Sequence, residues 1–141
     1  MQPTVHVEHS VEIETTPERV FAVLTDPRNV SQFAGGIEGA EVMDRPGEGY
    51  AGATLEVVTK GGNILKARVT RADHGCIEVE DERGVRARWE TREIAKGRVR
   101  IRYTVRGPLD PRRADSLRYD ADVKFQGLRH LLEDDGVGGS G

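Results

Sequence analysis

Seven stretches of this chain alternate apolar and polar side chains, and one later stretch carries an apolar stripe at helical spacing. Alternation places the apolar set of each strand on a single face of a sheet. Such a face must be covered, and the late stripe is the longest one available to cover it. Its members are Ala114, Leu117, Ala121, Phe125, Leu128 and Leu132. The pattern predicts an α+β fold: a curved, seven-stranded antiparallel sheet around a long C-terminal helix.

The order of elements follows from caps and turns. A first strand over Val5–Ile13 precedes a helix that Thr16 caps with Pro17 at its first position; a Thr15-to-Glu18 capping box would start it one residue earlier. A short helix over Asn29–Ala34 follows. Six strands come next, over 37–44, 53–60, 64–72, 76–81, 85–94 and 98–106. The long helix begins at Pro111 after Asp110 and ends near Glu133. We expect one domain over 1–135 and a flexible tail over 136–141.

Charges on the polar face of the strands predict which strands are neighbours. Glu78 and Glu80 on the fifth strand match Arg86 and Arg88 on the sixth. The first strand is acidic and the seventh is basic, so we expect them to pair and close the sheet. Opposite charges across neighbouring strands contribute about 0.2–1 kcal/mol a pair.

Bulk properties exclude several classes of protein. The 141 residues carry a net charge of −3, which gives no reason to expect a nucleic acid partner. The single Cys76 cannot form an internal disulfide, and the four histidines share no face or ligand spacing, so we expect neither a metal nor another cofactor. No apolar run is long enough to span a bilayer, and no secretion signal is visible. The expected location is the cytoplasm.

The alternation also places candidate site residues on the covered face. Inward strand positions are Leu55, Val57, Trp89, Thr91 and Tyr103. The helical stripe adds Leu117, Ala121 and Phe125. Aromatic residues are common in cores and in ligand sites alike, so plain core packing is the alternative for Trp89, Tyr103 and Phe125.

His9 shares the parity of Val7 and Val11 and is therefore expected to point inward. A neutral imidazole there can bind a ligand oxygen or move a proton. The alternative is a histidine satisfied within the core or at the sheet rim. His9 and Tyr103 are the candidates for acid/base chemistry, although the sequence shows no catalytic set.

An arginine band on the sixth and seventh strands is the one local charge excess. Its members are Arg86, Arg88, Arg98, Arg100 and Arg102. One interpretation is a docking face for an acidic partner or for RNA; the other is a solvated face whose charges pair with neighbouring glutamates. No aromatic residues interleave with the band to stack on bases.

The stretch Val11–Pro27, with its strand, its Pro-containing helix start and its Asp-Pro helix end, resembles the SRPBCC superfamily of START-related and polyketide cyclase/dehydratase-like proteins. The resemblance covers about residues 4–134 and implies the helix-grip fold. It also implies a cavity between sheet and helix for lipids, polyketides or other apolar ligands, with Phe33 and Tyr50 near its mouth.

Three functions follow as alternatives. The first is a monomeric or homodimeric module that binds or transports a small apolar or aromatic ligand. The second is a cyclase/dehydratase-type enzyme that uses the same cavity. The third is an interaction protein whose core is filled by its own side chains.

Overall fold

The fold is a curved antiparallel sheet with a long helix on its concave side. In the computed structural model, residues 4–33, 37–45, 47 and 49–140 are described, with side chains to residue 133. The strands are β1 (Thr4–Ile13), β2 (Ile37–Asp44), β3 (Thr54–Thr59), β4 (Ile64–Asp73), β5 (Cys76–Asp81), β6 (Arg86–Ala95) and β7 (Arg98–Pro108). The helices are α1 (Pro17–Leu24), α2 (Val30–Phe33) and α3 (Pro111–Ser140). The predicted order of elements is confirmed.

The strands form one sheet in the order β1-β7-β6-β5-β4-β3-β2. All pairs are antiparallel, and the first strand pairs with the last along its whole length, from Thr4 opposite Pro108 to Ile13 opposite Val99. The adjacency predicted from charge is therefore confirmed. Every other link joins strands that are consecutive in the chain, which short turns can make.

Ion pairs cover the convex face of the sheet. Arg86 lies 3.0 Å from Glu80, and Arg102 lies 3.1 Å from Glu90. Arg98 and Arg100 both lie 3.9 Å from Glu12 on the neighbouring first strand. Arg88 completes the band with Glu78 and Glu90. Each of the five arginines of the band thus has a carboxylate partner, as the interpretation of a solvated, paired face requires.

The predicted helix starts also agree with the structure. The Thr16 side chain accepts a hydrogen bond from the Arg19 amide at 3.4 Å, and Pro17 is the first residue of α1. Asp110 accepts from the Arg112 amide at 3.0 Å and so caps α3 before Pro111. The capping box from Thr15 to Glu18 does not form: the Thr15 hydroxyl is buried and has no hydrogen-bond partner among the described residues.

Five strands, β1, β3, β4, β6 and β7, differ from their predicted bounds by one or two residues at an end, and two helices differ more clearly. The short helix predicted over Asn29–Ala34 is a 3₁₀ turn over Pro27–Asn29 followed by α2, because Asp26 caps the turn through the Arg28 amide. Ala34 lies outside the described residues. The α3 backbone continues to Ser140, past the predicted end near Glu133. Most of the expected tail therefore lies within the helical backbone, and its flexibility stays a prediction.

Over the residues whose side chains are described, the two halves of α3, 111–120 and 121–133, have different surroundings. In the second half, Phe125, Leu128 and Leu132 are buried in the main core with β1, β7 and α1. A second apolar cluster, centred on Leu55, Val57, Ala67 and Val69, lies on β3 and β4. Helix α3 packs mainly on β1, α1 and α2. Among the described residues, no helix is in close contact with the concave face over β3–β5.

A close approach fixes α3 against α2. A Cβ atom built on Gly127 would lie 2.5 Å from the backbone oxygen of Gln32. Three residues earlier on the same helix, the Lys124 ammonium donates to the backbone oxygens of Ser31 and Ile37. Burial is the main reason that the pKa of Lys124 is lowered. These contacts tie α3 to both ends of the connection between α2 and β2.

Candidate functional site

A cavity of about 810 Å³ lies between the concave face of the sheet and the first half of α3. Its floor is apolar and comes from small or branched side chains of β3–β7, among them Ala67, Val79, Ala87 and Val105. Its volume falls in the range of ligand pockets for drug-sized molecules, about 300–1,000 Å³. A cavity of this size disagrees with the alternative of a core filled by its own side chains.

Seven of the ten predicted ligand-binding residues line this cavity: Phe33, Tyr50, Leu55, Val57, Trp89, Tyr103 and Leu117. The other three, Thr91, Ala121 and Phe125, do not. Ala121 and Phe125 are buried in the main core because they lie on the half of α3 that packs closely on β1 and α1. Thr91 lies two residues beyond Trp89 on β6, past the end of the cavity wall.

The aromatic residues form a continuous row that begins at the cavity and ends in the core. Phe33 meets Trp89 edge-on at 5.5 Å, and Trp89 stacks on Tyr103 at 4.9 Å. Tyr103 meets Phe125 edge-on at 6.1 Å between ring centroids. All four rings are buried in the main core, and the first three also line the cavity, so the two interpretations of the aromatic residues do not exclude each other.

His9 lies at the core end of this row. Its ring stacks on Phe125 at 4.9 Å, and its Nε2 atom lies 3.4 Å from an Asp122 oxygen on α3. The inward direction predicted from parity is confirmed. However, His9 is not among the residues that line the cavity. Its observed contacts join β1 to α3, and of the two acid/base candidates only Tyr103 borders the ligand space.

The mouth of the cavity is charged, which was not predicted from the sequence. An ion pair between Lys60, which follows β3, and Asp120 on α3 crosses from the sheet to the helix. Both residues line the cavity, and Asp120 is buried. A second pair, Asp81 with Arg83 at 2.7 Å, lies on the same rim. The sequence signal that could have indicated this charged mouth is Asp120, an acidic residue three positions after Leu117 of the apolar stripe.

Tyr50 lines the cavity at the opposite end from Lys60, since the two residues flank β3. The expected position of Tyr50 near the mouth is therefore wrong. The amide of Ala53 donates to the Tyr50 backbone oxygen at 3.1 Å and closes a turn, in which Gly52 has a φ of 82° that suits glycine. Only 7% of Tyr50 is exposed. Desolvation on burial raises its pKa to about 12, so the phenol is neutral at physiological pH.

We expect this phenol to make stability depend on pH above 10. The pKa of Tyr50 rises from 10.0 to about 12 on folding, so the native state keeps a proton that the unfolded state loses. The stabilisation is complete below pH 10 and is lost as pH rises toward 12, by an amount on the order of 1–2 kcal/mol. Urea unfolding between pH 9 and 11.5 should show a smaller decline for Tyr50→Phe than for the unmodified chain. Equal declines would contradict the burial of the hydroxyl.

Metal-binding clusters and membrane-spanning helices are absent from the described part of the chain. Among the described residues, no three His, Cys, Asp or Glu side chains lie close enough together to hold a metal ion. No helix in the described part of the chain is both long and apolar enough to cross a membrane. Cys76 is buried, and its sulfur accepts a hydrogen bond from the Arg88 guanidinium at 3.2 Å.

Comparison of the sequence with family models decides the family. The model described as polyketide cyclase / dehydrase and lipid transport matches residues 4–133, which is nearly the whole chain. The chain belongs to this family. This match to the polyketide cyclase / dehydrase and lipid transport family confirms the resemblance to SRPBCC proteins that the sequence predicted. Comparison with the curated proteins yields no match.

Solved structures confirm the helix-grip fold. A START superfamily protein from Mycobacterium smegmatis is 14% identical, with a TM-score of 0.76 over 92% of this chain and 97% of that one. The Zhui aromatase/cyclase from a Streptomyces species is 18% identical, with a TM-score of 0.64 over 92% and 91%. A dimeric protein from Colwellia psychrerythraea is 16% identical, with a TM-score of 0.67 over 92% and 96%. At these identities the similarity shows the fold alone.

Proposed function

We propose that this protein binds a small, largely apolar molecule in the cavity between β3–β7 and the first half of α3. The observation that carries the proposal is a drug-sized space with an apolar floor, in which the charged lining residues, among those that the structure describes, belong to the mouth. Burial of ligand carbon would supply the affinity, at about 25 cal/mol per Å² of apolar area. The family description, which includes lipid transport, supports the same conclusion.

The test uses two measurements on the purified chain. Native mass spectrometry should show a fraction of the protein carrying an added small-molecule mass that organic extraction removes. The neutral fluorescent probe N-phenyl-naphthylamine should bind saturably, with a dissociation constant in the micromolar range. Its fluorescence emission should increase when it moves from water into the apolar cavity. A chain that carries nothing and does not bind the probe would contradict the proposal.

A second candidate is a cyclase/dehydratase-type enzyme that uses the same cavity. The family description and the wall position of Tyr103 favour it, while the position of His9 outside the cavity wall does not. A linear poly-β-ketone thioester is the probe. Turnover that Tyr103→Phe lowers at least about tenfold, with probe binding retained, would support a proton-transfer role for the phenol. Absence of turnover in both proteins would leave the carrier function.

The proposal places the protein in the cytoplasm as a monomer or homodimer. One cysteine, buried and unpaired, suits a reducing compartment. The dimeric neighbour from Colwellia psychrerythraea shows that the fold is compatible with self-association. Sedimentation of the purified chain distinguishes the two oligomeric states.

A further inference from the structure

The charged side chains that line the cavity, among the described residues, are evenly divided between the two signs. They lie on the β3–β4 turn, at the end of β5 and in the turn after it, and on the first half of α3. This set consists of Lys60, Asp81, Arg83, Arg113, Asp115 and Asp120. An apolar floor with charges at its mouth fits a ligand that is itself amphipathic.

Each of the three carboxylates in this set has its own cationic partner. The ion pairs are Lys60–Asp120, Arg83–Asp81 at 2.7 Å and Arg118–Asp115 at 2.9 Å. Arg113 is the lining cation that remains. It forms no ion pair within the described part of the chain.

Asp110, three residues before Arg113, is also engaged. Its side chain accepts hydrogen bonds from the amide of Arg112 at 3.0 Å and from the guanidinium of Arg112 at 3.2 Å. These two hydrogen bonds are the main reasons that the pKa of Asp110 is lowered, and the charge of Arg113 adds to them at longer range. The mouth therefore carries one positive charge more than its carboxylates neutralise.

Helix stability does not account for this extra cation. Arg113 lies in the first turn of α3, where the helix dipole disfavours a positive charge. Its side chain is exposed, and unlike Arg112 it gains no ion pair there. The position of Arg113 is therefore better explained by what enters the mouth than by the stability of the helix.

From this excess of charge we propose that Arg113 binds the carboxylate of an amphipathic organic acid whose apolar body occupies the cavity. The inference rests on the proposed function and adds a charged end to the ligand. A guanidinium presents parallel N–H donors that match the two oxygens of a carboxylate. Because the other charges at the mouth are already paired, a single negative charge on the ligand neutralises it.

The experiment measures how two ligands with the same carbon chain, decanoate and 1-decanol, displace N-phenyl-naphthylamine. At neutral pH decanoate is ionised, whereas decanol carries no charge. Arg113→Gln removes the guanidinium and keeps a good helix-forming residue. We expect this change to weaken decanoate binding by roughly three- to tenfold and to leave the binding of decanol and of the probe unchanged.

The matched control is Arg106→Gln, which makes the same change of charge on the other face of the sheet. Arg106 is an exposed residue of β7, and its neighbour Val105 lines the cavity, so Arg106 points to the convex side. The Arg106→Gln protein should bind decanoate as tightly as the unmodified chain does. Equal losses in the two variants would reflect net charge alone and would overturn the proposal for Arg113.

Salt dependence distinguishes an ion pair from a change of shape. Raising NaCl from about 0.05 to 0.5 M should weaken decanoate binding to the unmodified chain more than to Arg113→Gln. If the probe binds but decanoate does not displace it, or if Arg113→Gln affects decanoate and decanol equally, the proposal for Arg113 is overturned and the cavity function stands. If neither the probe nor the two ligands bind the unmodified chain, both proposals fail.

Discussion

Ala87→Trp should reduce the affinity for N-phenyl-naphthylamine by roughly 10- to 100-fold, because the indole would occupy ligand volume. Ala87 lies on β6 opposite Val79 and Val105, and all three side chains line the floor of the cavity. The added ring projects into empty space and not into a packed core, so the fold should survive. Fluorescence titration measures the affinity, and thermal unfolding monitors the fold.

The matched control for this filling experiment is Ala95→Trp. Ala95 ends the same strand, is exposed and does not line the cavity. The Ala95→Trp protein should bind the probe as tightly as the unmodified chain does. A folded Ala87→Trp protein that also retains full affinity would show that the probe binds elsewhere.

Gly127→Ala should destabilise the protein by roughly 1–3 kcal/mol, against the usual preference of helices for alanine. Alanine in a helix interior is normally favoured over glycine by about 1 kcal/mol. Here the new Cβ would lie 2.5 Å from the Gln32 backbone oxygen, and a backbone atom cannot rotate away. Helix α3 would have to separate from α2, which also forms part of the cavity wall through Val30 and Phe33.

Urea unfolding of Gly127→Ala tests this contact, with Gly39→Ala as its control. Gly39 on β2 has no atom within 4 Å of a built Cβ and no unusual backbone angle. Its substitution should not lower the free energy of unfolding. If the Gly127→Ala protein were as stable as the unmodified chain, α2 and α3 would have to be farther apart than they are in the structure.

The sheet could be predicted almost completely from the sequence, because each of its determinants is local. Alternation identifies the inward residues of a strand, and turn residues mark where the strand ends. The bounds predicted for β5 from these signals agree with the structure at both ends. The pairing of β1 with β7 needed one long-range argument, which the opposite charges of Glu12 and Arg100 supplied. The caps at Thr16 and Asp110 are also local signals.

The cavity itself could be predicted only in part. Parity shows which side chains face inward, but it does not show how closely α3 approaches each strand. Phe125 and Tyr103 are both predicted to point inward and both are buried in the main core, yet only Tyr103 also lines the cavity. The Lys60–Asp120 pair joins residues sixty positions apart, and no local pattern connects them.

Methyl NMR during titration with N-phenyl-naphthylamine would locate the bound probe and so test whether the cavity is the binding site. We expect chemical-shift changes for Leu55, Val57 and Val79, which line the cavity, and none for Val99 and Leu132, which are fully buried outside it. Changes confined to exposed methyls such as those of Ile64 and Val123, with the cavity methyls unaltered, would contradict this expectation.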